Sequence, residues 1–357
     1  MKTKFYFLPI LLLGGLSLFT ACSDDDEENG GGQPSAPVIG YGDTISDARL
    51  TSISAGWGGI THFQYNEDGT VQRIFEEYDG DVEGWIAMTY NPFRMEMETD
   101  EISGLKKTSF NQNGYLTRMY AEGTYRDEED DYWEKYKADW RYSYNSNGNL
   151  KKIYYTYSCN GVEDGEKFFG QEMCTATYTW SEGNLTRIEF VAKVVDDEDT
   201  WMSNVTYDFE YTDEINKYKQ YVSELNKLET DYDEMLASIG WLGKWTKNYP
   251  ASFVCKRISE DYEDKYEEDE YEEDEYVEKT YTGTWSNFST TSDGLLSGFN
   301  YYDTYIRGGR YTYTYDNTAP TAKKAAAKQM LDNNAPSPRT KKMSRRHLHH
   351  ARMLNRK

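Results

Sequence analysis

The chain has 357 residues, with 62 acidic and 39 basic side chains and a formal net charge of −23. The charge is unevenly distributed, because the segment after residue 317 carries +10 and residues 22–317 carry −35. A body this acidic repels nucleic acid and anionic lipid, which argues against both as its direct partners. The 33 tyrosines and only eight prolines favour β-strands over helices or disorder.

Residues 1–21 have the pattern of an export signal. Two lysines near the start precede the apolar run Phe5–Phe19, which is too short to form a membrane-spanning helix. The run ends in Leu18-Phe19-Thr20-Ala21-Cys22, which resembles the lipobox of bacterial lipoproteins. That resemblance implies that Cys22 becomes the acylated first residue of the mature protein and holds it at a membrane. The alternative is an ordinary signal peptide with an incidental cysteine.

Residues 22–37 form a predicted flexible tether. The segment Ser23–Pro34 contains no apolar residue and carries a block of like charge. Its acidic run directly follows Cys22 and resembles the export signal with which Bacteroidetes-type lipoproteins reach the outer face of the outer membrane. The sequence therefore predicts a lipid-anchored, surface-exposed protein of the cell outer membrane, with a plain solvated spacer as the alternative.

A hairpin repeat dominates the next part of the chain. An aromatic residue, an Asn-rich turn, a glycine and aliphatic side chains two and five positions later recur in five copies, the last of them degenerate. The glycines are Gly69, Gly114, Gly148, Gly183 and Gly294. In three-residue hairpin loops and in the shorter type I′ loop, this position requires a positive φ that glycine adopts easily. The spacing between the first four glycines corresponds to about two strands and a loop, which predicts a ladder of hairpins.

Residues 38–317 are predicted to form one antiparallel β domain. Threonine and aromatic side chains alternate in 176–180, 205–211, 280–285 and 311–315, a period typical of half-buried strands. Residues 213–240 break the pattern, because apolar residues recur there at steps of three and four and predict one amphipathic helical insert. The acidic stretch 259–279 is predicted to be a solvated hairpin region, and the basic tail 318–357 is expected to be disordered.

Four of the five repeats carry a base at the fourth position after the glycine. These residues are Arg73, Arg118, Lys152 and Arg187. One hypothesis is that they form an anion-binding stripe, for example for a uronic or sulfated sugar. The alternative is that each base pairs with an acid across the strands on an outer face, which the large number of acids favours.

Side chains typical of metal and nucleophilic chemistry are scarce in the sequence. His62 is the only histidine of the predicted domain, so no multi-histidine zinc site is expected and no cofactor is implied. No Asp-x-Asp-x-Asp-Gly spacing of a calcium loop is present. Cys159 and Cys174 flank a loop between strands that are predicted to pair, and outside the cytoplasm they could form a disulfide. No metal site is predicted.

The combination of features resembles a known family. Hairpins of the form Tyr-Asn-x-(Asp/Asn)-Gly-x-Leu after a lipobox, an insert ending near Gly240-Trp241-Leu242-Gly243-Lys244 and a following Pro250 resemble a Bacteroidetes surface-lipoprotein family of unknown function. The resemblance covers roughly residues 39–317. It implies a mainly β fold, with one large antiparallel meander sheet curved or closed into a porin-like barrel. It implies no catalytic residues.

Two functional hypotheses remain open from the sequence. The first is a non-enzymatic, lipid-anchored surface protein that binds a glycan, a peptide or another envelope protein. The second is a glycosidase-like hydrolase that uses two carboxylates, for which the abundant acids allow no choice of pair. Exposed tryptophans could stack on sugar rings, and an exposed aromatic row would favour binding. Two carboxylates facing each other across a cleft would favour hydrolysis.

Overall fold

The computed structural model describes residues 48–316, apart from short internal gaps. The gaps are 68, 91–92, 99–104, 128–131, 164, 197–199, 227–230, 261–275 and 305–307. The predicted signal peptide and Cys22, the tether 22–37, most of the acidic region 259–279 and the tail 318–357 therefore lie outside the described residues.

Sixteen strands and one short helix make up the described fold. The first eight strands are β1 Arg49–Ser54, β2 Gly59–Tyr65, β3 Val71–Tyr78, β4 Asp81–Thr89, β5 Arg94–Glu98, β6 Leu105–Phe110, β7 Leu116–Asp127 and β8 Tyr132–Tyr144. The others are β9 Leu150–Glu163, β10 Glu166–Ser181, β11 Asn184–Asp196, β12 Thr200–Ile215, β13 Asn248–Glu260, β14 Tyr276–Thr290, β15 Leu296–Asp303 and β16 Gly309–Asp316. Helix α1, Asp231–Ser238, lies between β12 and β13.

All sixteen strands belong to one antiparallel sheet that is nearly closed into a barrel. Each strand pairs with its sequence neighbour except at β5 and β6, and the ring is completed by the pairing of β1 with β16. The two edge strands, β5 and β6, come into contact at the remaining seam. This architecture confirms the predicted mainly β fold, with one large antiparallel sheet curved or closed into a barrel.

Side chains alternate between a buried inner face and a polar outer face. In β8 the buried positions include Tyr136, Ala138 and Trp140, whereas Lys135 and Lys137 between them are exposed. This period of two is the pattern that the Thr-Tyr alternation predicted for half-buried strands. The apolar core of the protein therefore lies inside the barrel, and the outer wall is mostly polar, with exposed Val191, Met202, Val254 and Ile258 on β11, β12 and β13.

The repeat glycines all lie at one end of the barrel, which we call the turn end. Gly69, Gly114, Gly148, Gly183 and Gly294 have φ angles between 76 and 90°. Glu182, at 53°, precedes Gly183, so both central residues of that loop have positive φ, as a type I′ turn requires. The backbone conformation expected at the five glycines is therefore present.

Aromatic side chains link six pairs of neighbouring strands at the turn end. An aromatic group near the end of one strand donates a hydrogen bond to a backbone carbonyl at or near the start of the strand before it. The pairs are Tyr65–Leu50, Tyr90–Val71, Tyr144–Leu116, Trp180–Leu150, Tyr211–Leu185 and Tyr315–Leu296, at 2.6 to 2.9 Å. In five of them the acceptor is the aliphatic residue two positions after a repeat glycine, so the repeat specifies a polar contact as well as packing.

The helical insert is much shorter than the sequence predicted. Strand β12 continues to Ile215, residues 216–226 form turns, and α1 covers only 231–238. The spacing of the apolar residues did not indicate a helix, because polar residues of this segment, such as Asn216 and Gln220, are as buried as its apolar ones. Lys219 and Glu224 also adopt positive φ angles of 50 and 68°, which a helix does not allow. Among the described residues, no helix has the length and apolar character needed to cross a membrane.

Candidate functional site

Residues 216–226 and 231–247 lie inside the barrel at the turn end, and we call these residues the plug. Trp241, Leu242 and Trp245 of the plug are at most 2% exposed. The ring of Trp241 packs against Phe93 and Phe110, at centroid distances of 6.0 and 5.0 Å, next to the seam of the sheet. Such burial of large aromatic groups anchors the plug against the barrel wall.

The repeat turns hold the plug through their backbone groups. The carbonyls of Gly148 and Gly183 accept hydrogen bonds from the backbone amides of Lys244 and Lys247, each at 2.9 Å. The amide of Leu116 donates to the carbonyl of Trp241 at 2.9 Å. The repeat glycines thus shape turns whose exposed backbone groups are used by the plug, which explains why the turns and the insert occur together.

Buried polar side chains of the plug pair with tyrosines of the wall. Asn226 accepts a hydrogen bond from Tyr178 at 2.7 Å, and Asp233 accepts one from Tyr142 at 3.0 Å. On the other side of the barrel, Ser223 bonds to Tyr313 and Gln220 donates to Tyr315. These hydrogen bonds hold the plug against both sides of the barrel, because displacing it would leave buried polar groups without partners.

Two carboxylates of the plug contact tyrosines on the side of the plug that faces away from the turn end. Tyr311 of β16 donates a short hydrogen bond to Glu224. Tyr221 donates a short one to Glu234, which also accepts the backbone amide of Glu224 at 2.9 Å. Both glutamates are only partly buried, so solvent reaches them.

The adjoining wall adds a third tyrosine–carboxylate pair. Tyr301 of β15 donates a short hydrogen bond to Asp303. Burial and the negative charge of Glu224 raise the pKa of both Tyr301 and Tyr311 well above the usual value, so both hydroxyls stay protonated. We call Tyr221, Glu224, Glu234, Tyr301, Asp303 and Tyr311 the tyrosine–carboxylate cluster. In this cluster the tyrosine hydroxyls donate to the carboxylates, and only Glu224 and Glu234 are partly exposed.

An exposed aromatic pair borders the cluster. The indole nitrogen of Trp57, in the connection between β1 and β2, donates to the hydroxyl of Tyr311 at 3.3 Å. Trp57 is 51% exposed, and its ring lies 6.1 Å from that of Tyr78, which is 50% exposed. Aromatic faces next to hydroxyl and carboxylate groups form the kind of surface that a sugar ring can stack on and hydrogen-bond to.

A second polar region lines the longer strands. Glu134 is 1% exposed and accepts hydrogen bonds from Tyr132 and Tyr157 at 2.6 and 3.0 Å. Glu172 is equally buried and accepts the thiol of Cys174 at 3.0 Å. The pairing of inward carboxylates with neutral donors therefore recurs on this wall.

A polar cleft lies on the outer surface of the plug, at the turn end. It has a volume of ≈ 420 Å³ and is lined by Ser146, Asn147, Asn149, Gly183, Lys219, Lys244 and Trp245. Asn149 donates to the carbonyl of Lys244 at 3.0 Å, so the cleft floor is tied to the plug. Its two lysines contrast with the acidic groups on the other side of the plug.

The four bases predicted as a stripe lie on β3, β7, β9 and β11 of the outer wall. Arg118 and Arg187 each form a two-bond contact with an acid on the next strand, Asp139 of β8 and Asp208 of β12, at 2.6 to 3.1 Å. For these two arginines the cross-strand alternative is the one that the structure shows. Lys152 is exposed, and Arg73 lies over the rings of Phe75 and Trp85, at 5.3 and 5.4 Å. The structure does not bring the four together as a binding site.

The predicted disulfide between Cys159 and Cys174 is wrong. Across β9 and β10, Cys159 is opposite Gly170, and Cys174 is opposite Tyr155. This offset of four residues separates the two cysteines by about 13 Å along the strands, well beyond disulfide reach. Both remain buried thiols. Burial and the neighbouring Glu172 raise the pKa of Cys174, which keeps its thiol protonated.

The remaining candidates for chemistry are separate from the cluster. His62 stacks on Phe75 at 4.7 Å and lies 3.4 Å from Glu77, a cross-strand contact away from the carboxylates described above. Within the described ranges, no group of three or more His, Cys, Asp or Glu side chains is placed to hold a metal ion. The sequence missed the cluster because Glu224 and Glu234 lie in the segment that was interpreted as a helix.

Neither a protein-family model nor a curated protein sequence matches this chain. Two solved structures are similar to it. One is a porin-like protein from Bacteroides vulgatus, with 13% identity and a TM-score of 0.43, over 75% of this chain and 98% of that one. The other is a porin-like protein from Bacteroides uniformis, with 14% identity and a TM-score of 0.43, over 79% of this chain and 98% of that one.

Proposed function

We propose that this chain is a lipid-anchored envelope protein that binds a glycan at the tyrosine–carboxylate cluster and does not catalyse a reaction. The observation that carries the proposal is the exposed ring of Trp57 hydrogen-bonded to Tyr311, which in turn donates to Glu224. A stacking face and a row of hydroxyl and carboxylate groups match the two faces of a sugar ring. The barrel serves as a rigid holder for these groups.

The plug argues against a channel. It reaches wall residues on both sides of the barrel, from Tyr142 and Tyr178 to Tyr313 and Tyr315, and its polar side chains are buried in those contacts. A path for solutes through the turn end would require the plug to leave as a unit. Binding on the opposite side of the plug needs no such movement.

The outer wall favours a barrel that stands in water. Arg118, Asp139, Arg141, Arg187 and Asp208 form ion pairs on the outer faces of β7, β8, β11 and β12. A barrel that crosses a bilayer presents an apolar band about 25 Å tall to lipid, in which such charges are costly. We therefore infer that lipid attached to Cys22 supplies the membrane contact.

The described chain begins and ends at the same end of the barrel. Arg49 at the start of β1 is opposite Asp316 at the end of β16, and the side chain of Arg49 lies next to the turn glycine Gly69. Both ends of the described chain therefore lie at the turn end, where the plug is.

Glycan binding can be tested with the whole mature chain on a glycan array. We expect Trp57→Ala and Glu224→Gln each to reduce binding at least tenfold, because each removes one of the two recognition elements. Trp133→Ala on the opposite wall is the matched control and should leave binding unchanged. Failure of the unchanged protein to bind any glycan would refute the proposal.

A hydrolase is the second candidate, because Glu224 and Glu234 lie in one cluster. A glycosidase needs one of its two carboxyl groups as a proton donor, whereas both glutamates here accept hydrogen bonds from tyrosines. The array ligands should therefore be bound without release of reducing sugar. Release that disappears in Glu234→Gln would replace the binding proposal with hydrolysis.

The lipid anchor at Cys22 and the location at the cell surface need separate measurements. Mass spectrometry of the mature protein should show acyl chains on Cys22, and Cys22→Ala should release the protein from the membrane fraction. Protease treatment of intact cells should digest the chain if it is on the surface. Protection of the chain in intact cells would restrict it to the inner side of the outer membrane.

A further inference from the structure

Arg257 of β13 is a buried base on the inner wall of the barrel. It is 6% exposed, and it belongs to the same inward-facing series as Phe253 and Cys255. Within the part of the chain that the structure describes, no acceptor contacts its Nε and Nη2 atoms. A guanidinium group that is removed from water without hydrogen-bond acceptors costs several kcal/mol.

Among the described residues, the inward neighbours of Arg257 on its own strand and on the two flanking strands include no acid. Its inward neighbours in the described part of β12, β13 and β14 are Ser203, Val205, Tyr207, Cys255, Lys279 and Tyr281. Lys279 is the direct register partner of Arg257, so two positive charges lie side by side on this face. The local field therefore favours an anion, in contrast to the acidic lumen elsewhere.

A second polar group without a partner lies beside Arg257. Ser203 is 1% exposed, and its hydroxyl makes no hydrogen bond with the described residues. Arg257 is directly opposite Val205, so Ser203, two positions before Val205, is its diagonal neighbour on the same face. Diagonal neighbours are about 7–8 Å apart, within reach of a long side chain and of one small group bound between them.

We propose that Arg257, Lys279 and Ser203 bind the carboxylate of an acidic sugar in the ligand, an inference that rests on the proposed glycan binding. A planar guanidinium matches a carboxylate with two parallel hydrogen bonds, and the serine hydroxyl can donate a third. This site supplies the anion recognition that the outer-wall arginines cannot, because acids already occupy them.

The position of this site suits an oligosaccharide that also reaches the tyrosine–carboxylate cluster. Asp303 is opposite Gly283 on β14. Lys279, the register partner of Arg257, lies four residues before Gly283 on the same strand. Two strand spacings and four residues of strand rise correspond to about 16 Å along the wall. A chain of a few sugar units spans that distance, with its neutral units at the cluster and its carboxylate at Arg257.

Calorimetry on the full mature chain can test this site with a trisaccharide that carries one terminal galacturonate and with its carboxyl-reduced, neutral counterpart. We expect the unchanged protein to bind the acidic trimer at least tenfold more tightly, and Arg257→Met to abolish that preference. Arg257→Lys should retain part of the preference, since lysine keeps the charge without the paired donors. Arg141→Met, an arginine of the outer wall, is the matched control and should behave as the unchanged protein.

Thermal unfolding without ligand gives an independent readout. Because Arg257 is buried without a counter-charge, Arg257→Met should unfold at the same temperature as the unchanged protein or higher. A clear fall would show that the chain itself neutralises Arg257 and would overturn the proposal. Equal affinity of the unchanged protein for the two trimers would overturn it as well. If neutral glycans still require Trp57 in that case, the proposed function stands and only the carboxylate site falls.

Discussion

The two ends of the barrel differ in how they are built. At the turn end, short Asn-Gly loops, tyrosine–carbonyl bonds and the plug produce a closed, hydrogen-bonded floor. At the opposite end, the partly buried carboxylates of Glu224 and Glu234 accept hydrogen bonds from tyrosines. The densely hydrogen-bonded contacts lie at the turn end, and the recognition that we propose takes place on the other side of the plug. Variants at the two ends can test this division.

Alkaline pH should have the largest effect, because tyrosines hold both ends. At the turn end, burial raises the pKa of Tyr144 and Tyr211. On the other side of the plug, burial and the charge of Glu134 raise the pKa of Tyr157. Burial and the charge of Glu224 raise the pKa of Tyr311. Stability should be complete below the unfolded tyrosine value, about pH 10, and should fall above it, since only unfolded tyrosines release their protons. Each such tyrosine contributes up to about 1.4 kcal/mol per pH unit.

Urea unfolding between pH 8 and 11, followed by circular dichroism and tyrosinate absorbance, measures this loss. Ionisation and loss of strand signal should occur together. Full ionisation near pH 10 with an intact strand signal would show that the tyrosines are not protected by the fold.

Truncation of the plug anchor should destabilise the protein more than truncation at the opposite end. Trp241→Ala removes a side chain that is 1% exposed and packs on Phe93 and Phe110, at a cost of about 3–5 kcal/mol. Trp57→Ala removes a ring that is 51% exposed and should cost less than about 1 kcal/mol. The urea midpoints of unfolding of the two variants measure this difference. Equal losses of stability would contradict a division between the turn end and the opposite end.

A methyl group added at the plug should be more harmful than one added at the opposite end. Gly243 and Gly165 have φ of 88 and 83°, so alanine strains both backbones by about 1–2 kcal/mol. At Gly243 the new Cβ would lie 2.5 Å from the carbonyl oxygen of Gly148, whereas at Gly165 nothing lies within 4 Å. Gly243→Ala should therefore lose about 1–3 kcal/mol more in urea unfolding. A loss at Gly165→Ala as large as at Gly243→Ala would mean that the plug adjusts freely.

Loss of one tyrosine hydroxyl at the floor should give the smallest measurable effect. Tyr211→Phe leaves the carbonyl of Leu185 without its 2.6 Å donor and should cost about 1–2 kcal/mol. Tyr302→Phe, at a side chain that is 58% exposed, should change stability by less than about 0.5 kcal/mol. Thermal unfolding of both variants provides the measurement, and identical values would show that the bond at Leu185 is replaced by water.

Local patterns in the sequence predicted the sheet well. Glycines in Asn-Gly turns and the alternation of threonine with aromatic residues depend on two or three neighbouring residues, so one sequence suffices to interpret them. The barrel closure followed from the family resemblance. The pairing of β1 with β16 joins strands more than 250 residues apart, as the Thr51 to Thr314 bond across 263 positions shows, and no local pattern encodes it.

The candidate site was not predictable in the same way. Glu224 and Arg257 look like any other charged residues in a chain with 62 acids and 39 bases. Their importance depends on burial and on which strands are neighbours in the ring. The helical spacing of Ile215, Tyr218 and Val222 was misleading, because a segment enclosed on all sides buries polar and apolar residues alike.

The pairing of the first strand with the last has a consequence for biogenesis. Strands β1–β5 form one meander and β6–β16 another, and only the contact between β1 and β16 joins them by a ladder. Until β16 is available, β1 keeps one edge without a partner strand. An open strand edge attracts other chains, so folding of this protein should be prone to association through β1 until the ring is complete.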